Sequence, residues 1–186
     1  MTRLKRPSKK GYVLSGSGSQ VILFHGYTGS PYDLSVLADY LHKRGCHVVV
    51  PLLKGHGTKP QDLLQVTAQD WLDQANDAIA VCDTHKPIMV GGLSMGALLA
   101  ILLAKDYPSI NALLLFSPAL HLDLLARITI ASAQRGLLDK KISLPKLSGG
   151  SDINDPEAKA KTPSYKEMPI GGLLEFNQLR LLAIDA

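Results

Sequence analysis

Residues 90–100 read "VGGLSMGALLA", which sets Ser94 between Gly92 and Gly96 in a G-x-S-x-G pattern. A strand-like apolar run precedes the serine and a helix-like run follows it, which is the context this pattern needs to carry a nucleophile. A turn this sharp forces the serine into a sparsely populated backbone conformation and leaves its hydroxyl standing clear of the sheet. Glycine at both flanks lets the neighbouring segments approach closely. At the start of the helix, backbone N–H groups and the helix dipole favour developing negative charge, as acyl transfer requires. Acyl transfer also needs two N–H donors for the oxyanion. The amide of Met95 is one candidate. The other lies in "HGYTGSP", residues 25–31, directly after another strand-like run, where the amide of Tyr27 is the best placed. His25 and His56 are read as loop-shaping residues rather than as the base that would activate Ser94.

Elements must exist to position these residues, and the chain supplies them in alternation. "QVILFH" (20–25), "CHVVVP" (46–51), "PIMVGGL" (87–93) and "NALLLFSP" (111–118) read as buried strands. Between them, Ser30-Pro31 opens a helix running to Gly45, Thr67 caps one running to about Asp83, and Met95–Tyr107 reads as a helix buried on all sides. "SGSGS" (15–19) is expected to be the loop of a hairpin between "GYVL" and the strand after it. This order predicts an α/β fold of three layers, a mainly parallel sheet with helices on both faces. The 186 residues fit a single domain: a core over 1–118 carrying the serine turn, a lid-like excursion over 119–172, and a closing helix over 173–186.

"HGYTGSP", "PLLKGHGTKPQDL", Asp70-Trp71 and "GLSMG" occur in an order and at spacings that resemble the α/β-hydrolases, in particular the small carboxylesterase and monoacylglycerol-lipase-like branch. The resemblance is close over about residues 18–118. It implies Ser94 as the nucleophile of a serine hydrolase, the amides of Tyr27 and Met95 as oxyanion hole, and carboxylic esters of short to medium acyl chains as substrates. It implies no metal and no organic cofactor. In that family the serine is followed by an acid and then a histidine on loops after further strands. Here the only later histidine is His121, and neither it nor Asp123 or Asp185 falls where base and acid are expected. The sequence therefore reads as an α/β-hydrolase fold truncated after the lid region. Three readings stay open: the amino-terminal part of a serine esterase, a non-catalytic protein that binds an acyl or other small ligand, and a scaffold that completes its sheet with another chain.

Composition narrows the setting. Hydrophobic residues make up 46% of the chain and charged residues 19%, as in a globular protein. No apolar run reaches the roughly 18 residues that span a bilayer, and no secretory leader is recognisable, so a cytoplasmic location without membrane insertion is expected. The net charge of +4 comes from Arg3, Lys5, Arg6, Lys9 and Lys10, a solvated arm rather than a nucleic-acid contact. Cys46 and Cys82 read as reduced core thiols, and no Cys/His spacing suggests a metal site. The strand at 111–117 carries no charge; left at the sheet's edge, it is expected to pair with a second copy of the chain.

Overall fold

The structure, a computed structural model, describes residues 10–146 and 153–186. Most of the basic arm, and residues 147–152 of the lid-like excursion, lie outside the described residues. The elements in chain order are β1 (Tyr12–Leu14), β2 (Gln20–Phe24), α1 (Ser35–His42), β3 (His47–Val50), α2 (Ala68–Ala80), β4 (Ile88–Leu93), α3 (Met95–Asp106), β5 (Ile110–Phe116), α4 (Leu124–Gln134), β6 (Ser143–Pro145), α5 (Pro156–Lys161), β7 (Glu167–Pro169) and α6 (Ile170–Ile184).

Five strands form one sheet in the order β1-β3-β2-β4-β5. β3, β2, β4 and β5 run parallel, and β1 joins β3 antiparallel. All five residues of β2 are buried, because its two faces serve two layers. Ile22 and Phe24 point into a core shared with α2, α3 and α6; Val21 and Leu23 point the other way, toward Leu34 and Ala38 under α1. The expected three-layer α/β/α arrangement is the one observed.

β1 corrects one expectation. It does not form a hairpin with β2, since its register partners are Val48, Val49 and Val50 of β3. The 15–19 loop instead runs across the start of β3: Gly18 N donates to Gly45 O at 2.9 Å, and a Cβ on Gly16 would stand 2.4 Å from Cys46 O. Only glycine lets the two backbones approach so closely. Ser30-Pro31 opens a 3-10 turn over Pro31–Leu34 before α1 begins, with a capping box to Asp33. Cys46 and Cys82 are free but only half-buried, not core residues.

α2 begins with Thr67, whose hydroxyl accepts from Asp70 N while Asp70 reaches back to Thr67 N. Its Trp71, Ala75 and Ile79, spaced by four, face the core. α3 is apolar on every side and packs against β2, β4, β5, α2 and α6. β5 closes the sheet order, and among the described residues no strand pairs with its outer side. Leu113, Leu115 and Phe116 there are 37–40% exposed. No helix among the described residues is long and apolar enough to cross a membrane.

Candidate active site

Three parallel strands end at the same edge of the sheet, and each is followed by a non-glycine residue at positive φ: Thr28 (63°) after β2, Ser94 (55°) after β4 and Ser117 (43°) after β5. Strain of this kind persists only where the surroundings over-determine it. The sheet's carboxyl edge is also where open α/β sheets bind ligands.

At Ser94 the surroundings are legible residue by residue. Its N–H donates to Phe116 O at 2.9 Å, and its carbonyl accepts from Ala97 N at 3.1 Å and Ala119 N at 3.4 Å. Its ψ is −110°, so β4 turns directly into α3 within this one residue. The flanking glycines make the turn feasible. A Cβ on Gly92 would lie 2.1 Å from the Gly96 carbonyl carbon, and one on Gly96 would lie 2.0 Å from Phe24 O. Ser94 itself is half-buried, and no described residue takes a hydrogen bond from its hydroxyl.

The 25–28 loop abuts this turn. A Cβ on Gly26 would stand 3.4 Å from Ser94 Cβ. Met95 is the first residue of α3, so its amide has no acceptor in the preceding turn. The Tyr27 amide likewise meets no acceptor among the described residues. The side chain of Tyr27 points away from the turn, into the protein. Its ring stacks on Phe176 at 5.5 Å, its hydroxyl donates to Pro169 O at 3.0 Å, and burial pushes its phenol above the usual range.

Two buried histidines hold this loop, and they do so reciprocally. Leu53 N donates to His25 Nε2 and Thr28 N donates to His56 Nε2, each at 3.0 Å. A backbone N–H can only donate, so both Nε2 atoms are bare and both protons sit on Nδ1. His25 Nδ1 then donates to Gly26 O at 2.9 Å, and His56 Nδ1 to the carbonyls of Lys54 and Leu53 at 3.1 and 3.2 Å. The loop after β2 and the loop after β3 are thus each pinned by the other's histidine. Desolvation is the largest cause holding both rings neutral: it lowers His25 well below the ordinary value, with His56 adding to the effect, and lowers His56 to about 4. The second loop is anchored in turn by α2. Asp70 pairs with the Lys54 ammonium, and Trp71 Nε1 donates to Lys54 O at 3.0 Å.

The later candidates are not brought to Ser94. His121 is exposed and lines a separate cavity with Leu122, Arg127 and Arg180. Asp123 caps α4, accepting from Ala126 N at 2.7 Å, and Asp185 caps the far end of α6. Sequence reasoning missed the Tyr27–Phe176 stack and the arginine pair. The equal offset of 28 residues in Leu53–His25 and His56–Thr28 was the one signal available for the histidine exchange.

A family described as serine aminopeptidase, S33 (Hydrolase_4), matches residues 17–163. The chain belongs to this S33 family. The S33 chain is 32% identical over 160 residues to a thermostable monoacylglycerol lipase from Bacillus sp. (strain H-257), a match covering 86% of the chain and 60% of that lipase. It is 29% identical over 107 residues to a carboxylesterase from Bacillus subtilis (strain 168), covering 56% of the chain and 44% of that enzyme. The chain thus spans less than two thirds of either relative. Among solved structures, that of the metagenome-derived lipolytic enzymes LipS and LipT superposes with a TM-score of 0.78 at 25% identity, covering 95% of this chain and 70% of the other. A soluble variant of monoglyceride lipase from Saccharomyces cerevisiae shares the fold, with a TM-score of 0.69 at 14% identity over 91% of this chain and 64% of the other. The S33 chain has the α/β-hydrolase fold, and the relatives it matches are named as lipases and esterases.

Proposed function

We propose that this S33 chain carries the nucleophile and oxyanion hole of a serine esterase acting on carboxylic esters of short to medium acyl chains. Ser94 Oγ attacks the ester carbonyl, and the carbonyl oxygen gathers negative charge between the amides of Tyr27 and Met95. Collapse of that intermediate expels the alcohol, which takes up the proton lost by the serine, and leaves an acyl group on Ser94. Water then releases the acid. No metal or organic cofactor takes part. The observation that carries this reading is the Ser94 backbone, φ 55° and ψ −110°, wedged between β4 and α3 with the Gly26 loop against it. A strained residue at this point costs stability and is explained by what its hydroxyl does.

A serine hydroxyl without a base is a weak nucleophile. No described residue serves Ser94 as one, so the 186-residue chain is expected to react slowly. What remains in characterised proteases without their triad is roughly 10³–10⁴-fold over water. Incubation with a fluorophosphonate followed by intact-mass analysis is expected to show one adduct forming slowly on Ser94 and none on Ser94→Ala. An adduct elsewhere, or ester turnover unchanged in Ser94→Ala, overturns the assignment. The missing Oγ partner also suits the non-catalytic, ligand-binding reading, which predicts no adduct at all on a folded chain. A cytoplasmic location accords with the two thiols left free.

The proposal extends to assembly. An apolar edge with unpaired N–H and C=O groups templates another strand. β5 is seven residues long, uncharged and exposed at Leu113 and Leu115, and a second copy offers the matching edge. Light scattering is expected to find a dimer or larger species, shifted to monomer by the Leu113→Lys, Leu115→Lys double variant. A stable wild-type monomer defeats this part of the proposal.

A further inference from the structure

Beyond the serine turn, a cavity of about 220 Å³ opens among His121, Leu122, Arg127 and Arg180, where the loop after β5 meets α4 and α6. Its lining holds two guanidinium groups and an imidazole and no carboxylate. Arg180 is oriented from behind: its Nε donates to Asn177 Oδ1 and its Nη1 to Leu120 O, both at 3.0 Å, and Asn177 is itself buried. Those bonds use the Nε–H and one Nη1 N–H of the guanidinium and leave its other N–H groups without a partner among the described residues. The Arg127 side chain has no hydrogen-bond or ion-pair partner among the described residues. The nearest acid in sequence, Asp123, is committed to Ala126 N and forms no ion pair with either arginine. Two guanidinium groups beside one cavity, neither in an ion pair among the described residues, repel each other, and an anion accepting from both removes that repulsion.

We propose that this cavity is a binding site for a small oxyanion, a carboxylate or a phosphate, held between Arg127 and Arg180. Its volume admits a group of a few heavy atoms rather than a long chain. The site is separate from the serine turn but linked to it through the backbone: the carbonyl that holds Arg180 belongs to Leu120, and the preceding Ala119 donates its amide to Ser94 O. On the hydrolase reading, the occupant is the carboxylate of an acid released at Ser94 or the anionic end of an ester bound there. That link rests on the esterase proposal; the anion site itself does not.

The test uses the full chain carrying Ser94→Ala, so that no turnover intervenes, titrated calorimetrically with sodium butyrate, inorganic phosphate and, as the neutral counterpart, butyramide. Saturable binding of at least one anion and none of butyramide is expected. Affinity should fall at least about tenfold in Arg127→Gln and in Arg180→Gln, and weaken with added salt. Butyrate binding assigns the site to an acyl acid; phosphate binding alone upholds the anion site and breaks its link to ester chemistry. Because Arg180 also tethers Leu120, Arg127→Gln is the decisive variant: its exposed side chain leaves the fold untouched. No saturable binding of either anion, or undiminished binding in Arg127→Gln, overturns the proposal. Failure of the esterase reading is seen separately, as absence of the fluorophosphonate adduct on the wild-type chain.

Discussion

Alanine in place of Gly96 is expected to destabilise the chain by about 3 kcal/mol, which for a domain of this size lowers the melting temperature by roughly 6–12 °C. The added methyl would sit 2.0 Å from Phe24 O and 2.5 Å from Phe24 C, atoms of the central strand that have no rotamer to change. The clash is relieved only if the first turn of α3 lifts off β2. That movement carries the Met95 amide away from the 25–28 loop, so the same variant should also lose the slow acylation of Ser94. Gly136 is the control. It has a φ of +75° but nothing within 4 Å of the added Cβ, so Gly136→Ala carries only the left-handed backbone cost of about 1 kcal/mol. A Gly96→Ala chain that melts with the wild type would mean that β2 and α3 are not packed as described.

Stability is expected to fall as the medium is acidified, through the two buried histidines. His56 is lowered in the folded chain to about 4 from an ordinary 6.5, so between those values the unfolded chain binds a proton that the folded chain refuses. Stability from this group is complete above about 6.5 and is lost as pH falls toward about 4, to the extent of about 3 kcal/mol. His25 acts with the same sign. Asp33 opposes both. Burial raises its carboxyl to about 6 from 3.8, against the hydrogen bond from Ser30 and the charge of Lys146. The folded chain therefore takes up a proton at Asp33 that the unfolded chain does not, and gains stability as pH falls through that window. Asp33→Asn retains an oxygen for Ser30 N and removes the compensation. Urea unfolding across this range should show the variant about 2 kcal/mol more stable than wild type at neutral pH, with a steeper loss on acidification. His56→Gln should flatten the wild-type slope. Parallel pH profiles for wild type and Asp33→Asn would refute the account.

Much of the architecture is legible in the sequence because it follows from local rules. The apolar runs at 20–25, 46–51, 87–93 and 111–118 mark the four parallel strands to within a residue or two, and Thr67, three residues before Asp70, marks the start of α2. What is not legible depends on contacts between distant segments. Whether β1 pairs with β2 or β3 is decided by the fit of Gly16 against Cys46, which three residues of strand propensity do not reveal. The Ser94 turn is visible as a motif because strand, serine and helix are adjacent in the chain. The arrangement that pins its companion loop is not, because His25 and His56 each satisfy a backbone amide of the other's segment. The arginine pair is hidden for the same reason: Arg127 and Arg180 lie 53 residues apart and come to one cavity only because α4 and α6 pack together.

The uniformly apolar α3 has a consequence for synthesis of the chain on the ribosome. A helix with one apolar stripe can settle on a sheet and show its polar side to water, but α3 has no polar side to show. One of the elements that covers it, α6, begins at Ile170, some 64 residues after α3 ends at Asp106. At ordinary elongation speeds of about 5–20 residues per second, that interval lasts roughly 3–13 s. Throughout it, Leu98, Leu99, Leu102 and Leu103 belong to a nascent helix whose final cover has not yet been made, which marks 95–106 as the segment a holdase chaperone would grip first.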